Sequence, residues 1–179
     1  MWTLYLLSQH REVLGQVQNE LEAVLGGRLP EFADLANLQY TRQVIDETLR
    51  LYPPAWAVVR SAVSDDVVGE WQVPVGNQIT LAIAYIHRHP EFWEAPNEFR
   101  PERFAPEQVK GRHRFAYIPF VAGPRQCIGK SFALMEATLA LATMLQQVEP
   151  RLVNGHIVKP KSVLTLFSLH GMPMQIAWR

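Results

Sequence analysis

The chain has 179 residues, 48% hydrophobic and 19% charged, which is enough apolar material for one domain with a core and excludes a disordered chain. Lysine plus arginine and aspartate plus glutamate both number 17, so the formal net charge is zero and neither nucleic acid nor an acidic membrane surface is called for as a partner. One cysteine excludes an intrachain disulfide framework and fits a reducing, cytoplasmic setting, and no apolar run is long enough to span a bilayer.

The opening, MWTLYLLSQHRE, lacks the basic flank and small-residue cleavage site of a signal peptide and reads as a helix entered partway along. Residues 8–25 follow as an amphipathic helix. Val13, Leu14, Val17, Leu21, Val24 and Leu25 recur at helical spacing, Ser8 starts the helix with Glu12 nearby, and Gly26-Gly27 stops it. Tyr40 to Tyr52 is a second helix, ended by Pro53-Pro54. Residues 56–86 are rich in Val, Ile, Thr and Trp and read as short strands joined by hairpin turns. The Pro-rich stretch 88–118 has room for a turn or two of helix at most, and an irregular run of that length inside a compact domain is more often functional than idle. Ile128 to Val148 is the longest helix, apolar on nearly every side and therefore expected in the core. The tail reads as short strands with a turn at His170-Gly171. With no repeat, linker or low-complexity segment, the reading is one domain, 1–179, mainly α with small β-sheets.

Cys127 stands just ahead of the longest helix, in PFVAGPRQCIGKSF. A lone cysteine is by default a small buried hydrophobe. Here a helix start, Arg125 and Lys130 supply positive potential that favours a thiolate. Gly123 and Gly129 allow a tight turn and the close approach of a bulky partner, and Phe120 is placed to shield the sulfur. The thiolate is then either a nucleophile or a metal ligand. As a nucleophile it would want a histidine base, and His113 is nearest in sequence without a hydrolase signature around it. Zinc would want further Cys or His at short spacing, and His87 and His89 have no evident link to Cys127. A cofactor bringing its own remaining ligands needs only the one thiolate.

The segment FVAGPRQCIG, residues 120–129, resembles the haem-binding loop of the cytochrome P450 family, with Phe120, Gly123, Arg125, Cys127 and Gly129 at its five fixed positions. Glu47 and Arg50 match that family's Glu-x-x-Arg helix motif, and Pro101-Glu102-Arg103-Phe104 matches its Pro-Glu-Arg-Phe segment. The resemblance implies the C-terminal part of the cytochrome P450 fold. It implies haem b as cofactor, with Cys127 as axial ligand to the iron, a ligation that favours O–O cleavage. Backbone N–H groups after Cys127 would donate to the sulfur. Arg60 and Arg125 would hold the haem propionates through their planar forks; Arg60 lies among apolar neighbours and must pair if buried, the alternative being a solvated strand arginine. Glu47, Arg50 and Arg103 would form a buried structural cluster.

The resemblance further implies a lipophilic substrate facing Trp56–Val59 and Leu166–Leu169. It also implies an electron donor, a ferredoxin or flavoprotein, meeting a basic face of Lys110, Arg112, Arg114 and Lys130. The family's oxygen-activating Ala-Gly-x-x-Thr element is absent from the sequence and would fall before Met1, so the chain reads as a fragment lacking an N-terminal half. The function expected is haem-thiolate monooxygenation. The alternatives are a non-catalytic haem-binding or interaction module, a peroxide-driven or isomerising variant of the same fold, and, least favoured, a cysteine hydrolase.

Overall fold

The computed structural model describes all residues, 1–179. Its N-terminal region holds the opening helix and the amphipathic helix that follows it, with the boundary between them at His10 rather than at Ser8. Helix α1 spans Trp2–Gln9 and α2 spans Arg11–Leu25. His10 leaves the helical conformation between them, with φ −120° and ψ 78°, and its ring packs on Phe99. Ser8 therefore starts nothing; its hydroxyl donates to the Tyr5 carbonyl inside α1. No glycine or proline marks this break, so the helical periodicity runs through it unsignalled. The other end is as expected: Gly26 adopts φ 54° and its N–H caps the Glu22 carbonyl.

Helix α3 spans Gln39–Leu51. Its first N–H groups are satisfied by α2: the Glu20 carboxylate accepts from Tyr40 N–H at 2.6 Å and from the Thr41 N–H and hydroxyl at 2.8 and 2.7 Å. Helix α6 spans Lys130–Gln147 and packs against α2 and α3. Leu14, Val17 and Leu21 of α2, Val44 and Ile45 of α3, and Leu134, Leu141 and Leu145 of α6 share one buried cluster. The apolar character of α6 does not place it wholly in this core. Leu134, Thr138, Leu141, Ala142 and Leu145 face inward, while Phe132 is 63% exposed.

The β structure is four two-stranded antiparallel sheets. Strands β1 (Val58–Ser61) and β4 (Gln78–Leu81) pair around the inner hairpin of β2 (Asp66–Val68) and β3 (Trp71–Val73). Beyond a short α4 (Ile83–Ile86), which the strand-like composition had hidden, lies the irregular stretch. It contains one 3₁₀ turn at Pro101–Phe104 and α5 at Pro106–Val109, within the turn or two expected. Strand β5 (Val148–Leu152) leaves α6 without a loop and pairs with β8 (Met174–Trp178). Between them lies the hairpin of β6 (Pro160–Ser162) and β7 (Leu166–Ser168). The stacked rings of Trp2 and Tyr52, 4.1 Å apart, and the Trp2 indole N–H on the Leu166 carbonyl join α1, the end of α3 and the tail.

Candidate functional site

The cysteine loop is held by backbone bonds. Val121 N–H reaches the Ile118 carbonyl at 2.9 Å and closes a turn. Cys127 N–H donates to the Phe120 carbonyl at 3.0 Å, and Gln126 N–H to that of Gly123 at 3.0 Å. Gly123 has φ 79°, which glycine adopts freely. Val121 has φ 62°, a left-handed conformation that is costly for a β-branched residue and persists only where the surroundings enforce it. Phe120 is half-buried against the core cluster.

Cys127 is a free, exposed thiol. Helix α6 begins three residues later, at Lys130, leaving Ile128 fully exposed at 104%. The expected donation of backbone N–H groups to the sulfur is not among the loop's hydrogen bonds, which run between backbone groups. A β-carbon at Gly129 would stand 3.9 Å from Sγ, so glycine there keeps that side of the sulfur open. Arg125 is exposed in the 3₁₀ turn Gly123–Arg125. Arg60 is also exposed, its guanidinium donating to the Val59 carbonyl at 2.9 Å, so burial does not oblige it to pair and the structure leaves it a solvated strand arginine. Strand β1 carries it on a small two-stranded sheet that cannot cover a long side chain.

Behind the loop, Glu47 and Arg50 are fully buried and paired through two bonds of 2.7 and 2.8 Å. Arg50 uses its remaining donors on carbonyls of the irregular stretch: His87 at 2.9 Å, Pro96 at 2.7 Å and Glu98 at 3.0 Å. Glu47 accepts Arg100 N–H at 2.9 Å. Arg103 completes the group, its Nε 3.5 Å from Glu47 and its Nη2 donating to the Ala95 carbonyl. A planar donor fork against a carboxylate thus fixes a stretch of chain that has no ladder of its own.

Arg112 does not join a solvated basic face. Its guanidinium packs against both the Trp93 and Phe104 rings, 4.4 and 4.8 Å from their centroids, and donates to the Arg103 carbonyl. Burial pushes its pKa down. Lys110, Arg114 and Lys130 are exposed. The sequence also gave no sign that His87 is buried, since it sits in a polar run beside Arg88 and His89. The structure links it to the loop: its Nε2 accepts Ile118 N–H at 2.8 Å.

The two segments expected to face a substrate are brought together. Leu166 N–H donates to the Pro54 carbonyl at 2.9 Å and the Trp56 indole to that of Val163 at 3.0 Å. An apolar cavity of about 770 Å³ opens beside the cysteine loop, lined by Leu81, Ile86, Phe92, Phe115, Ile118 and Val121. No three His, Cys, Asp or Glu side chains are grouped so as to hold a metal ion by themselves. One accessible thiol, an apolar wall and flanking arginines form a donor set that fits a metal arriving with its other ligands in place, as in haem.

The sequence profile described as Cytochrome P450 matches residues 1–178. The chain belongs to the cytochrome P450 family. It is 39% identical over 182 residues to the carotene epsilon-monooxygenase of Arabidopsis thaliana, covering 99% of this chain and 34% of that protein. It is 35% identical over 178 residues to the pentalenene oxygenase of Streptomyces avermitilis, covering 99% and 40%. The crystal structure of the cytochrome P450DA heme domain superposes with a TM-score of 0.93 at 34% identity, covering 99% of this chain and 39% of that one. The chain thus spans about a third of the length of the curated relatives it matches. The family is one of monooxygenases, which are oxidoreductases, and it implies a haem cofactor. The observed mixture of helices and small sheets is that of the family's solved structures. No helix is long and apolar enough to cross a membrane.

Proposed function

We propose that this chain is the cysteine-bearing, C-terminal part of a haem-thiolate monooxygenase that inserts one oxygen atom from O2 into a lipophilic substrate. The observation that carries this reading is Cys127: an exposed thiol in a glycine-framed loop, tied by its own N–H to Phe120 and open on the Gly129 side. Haem, when bound, supplies the iron at which oxygen is reduced. Cys127 ligates that iron as a thiolate. Arg60 and Arg125, both exposed, are free to pair with the propionates. Phe120 and Val121 cover the loop side and limit water there. The apolar segments Trp56–Val59 and Leu166–Leu169 favour a lipophilic substrate. Exposed Lys110, Arg114 and Lys130 offer an acidic electron donor, a ferredoxin or flavoprotein domain, a basic landing surface.

The sequence holds no Ala-Gly-x-x-Thr element. A second reading follows, in which the chain alone binds haem without turning substrate over. Haem titration of the chain tests both arginines, and a hydroxylation assay tests this distinction. Arg60→Leu and Arg125→Leu are each expected to weaken haem uptake by about tenfold to a hundredfold, the range for a hydrogen bond to a charged group. Uptake unchanged in both would remove them from the site. Hydroxylation by the chain alone would overturn the view that oxygen insertion needs further polypeptide.

A further inference from the structure

We propose that His87 is a positioning residue for the cysteine loop, its ring nitrogen Nε2 fixing the turn that delivers Phe120 and Cys127. This rests on the haem-thiolate reading of that loop. The geometry is a continuous relay. The buried Glu47–Arg50 pair holds the His87 carbonyl through Arg50 Nη1 at 2.9 Å. The His87 ring, with no exposed surface, accepts Ile118 N–H at 2.8 Å. Ile118 then uses its own carbonyl to close the turn onto Val121, whose φ of 62° needs an enforcing contact. Phe120, inside that turn, accepts Cys127 N–H at 3.0 Å. Each step is a hydrogen bond between named groups, and His87 is the one side chain that bridges α3's ion pair to the loop.

The ring cannot easily move. It packs on Tyr117, with centroids 5.3 Å apart, and the Tyr117 hydroxyl is fixed on Asp46 at 2.8 Å. An acceptor role requires the neutral ring with its proton on Nδ1, which is buried on the side away from Ile118. Burial favours this neutral form, pushing the pKa down to about 4.

The test uses the whole chain as wild type, His87→Phe and His87→Gln. Phenylalanine keeps the ring and its contact with Tyr117 but has no acceptor; glutamine places an oxygen close to the lost Nε2. Amide hydrogen exchange is read at Ile118 and Cys127 without haem. The wild-type Ile118 amide is expected to be protected alongside the amides of α3. In His87→Phe, exchange at Ile118 and Cys127 rises about tenfold while α3 is unchanged, and His87→Gln returns it to within about threefold of wild type. With haem and carbon monoxide, the share of the thiolate-type Soret band falls in His87→Phe and recovers in His87→Gln. Fast exchange at Ile118 in the wild type overturns the proposal with no variant needed. So does a glutamine variant that behaves like the phenylalanine one, or a phenylalanine variant with wild-type exchange. If His87→Phe fails to fold, the wild type and His87→Gln decide. A wild type that takes up haem without any thiolate band overturns the haem-thiolate reading instead, and exchange alone then judges the positioning.

Discussion

Burying the Glu47 carboxylate and the Arg50 guanidinium strips both of water, and their twofold pairing with bonds to four backbone groups makes this tolerable. Removing one charge leaves the other unpaired. Glu47→Gln is therefore expected to lower the unfolding free energy by about 3–5 kcal/mol in urea titrations, and a loss under about 1 kcal/mol would show the pair to be dispensable. Arg112 depends on shape as well as charge, because its guanidinium packs against two aromatic rings and donates to the Arg103 carbonyl. Arg112→Lys keeps the charge and loses the plane, and a cost of about 1–2 kcal/mol by the same titration is expected. His87 carries a pH signature. Its pKa falls from 6.5 to about 4 on burial, so the unfolded chain binds the proton first as pH drops. The neutral ring's contribution is complete above about pH 6.5 and is lost progressively toward pH 4, amounting to about 3 kcal/mol. Stability measured across this window should fall less in His87→Gln; identical slopes would mean the ring is not buried neutral.

At the scale of elements, helix α6 presents a second face. Phe132 in its first turn and Ile128 just ahead of it are exposed to solvent, and exposed apolar surface drives association. The haem-free chain is expected to self-associate at high concentration, and Ile128→Ser combined with Phe132→Ser to shift sedimentation toward monomer; unchanged sedimentation would show that the patch is inert. This exposure also marks where sequence reasoning stops. The apolar periodicity of Leu14, Val17 and Leu21 locates α2 because a period of 3.6 needs only one partner surface. The uniform apolarity of α6 says how much surface is greasy and nothing about which side is covered. The break at His10 has no breaker residue, and α4 lies in a run whose Ile and Tyr serve strand or helix alike. The motif residues were legible as types at fixed spacing. What remained hidden was contact across the chain: Arg112 against Trp93 and Phe104, and His87 on Ile118, 31 positions away.

For the whole molecule, a buried ion pair fixes an irregular stretch, and that stretch fixes the loop that presents one thiol. Among the strands of the four small sheets, β7 is tied at Leu166 to the Pro54 carbonyl just ahead of β1, which brings the two apolar segments toward each other. The role proposed for the centre of this arrangement is that of Cys127 as thiolate ligand to haem iron. The measurement that bears on it most directly is the absorption spectrum of the haem-loaded, reduced, carbon monoxide-treated chain, wild type beside Cys127→Ser. A strongly red-shifted Soret band in the wild type, absent from the variant, is the expected result. The same band in both, or an unshifted band in the wild type, would contradict thiolate ligation by Cys127.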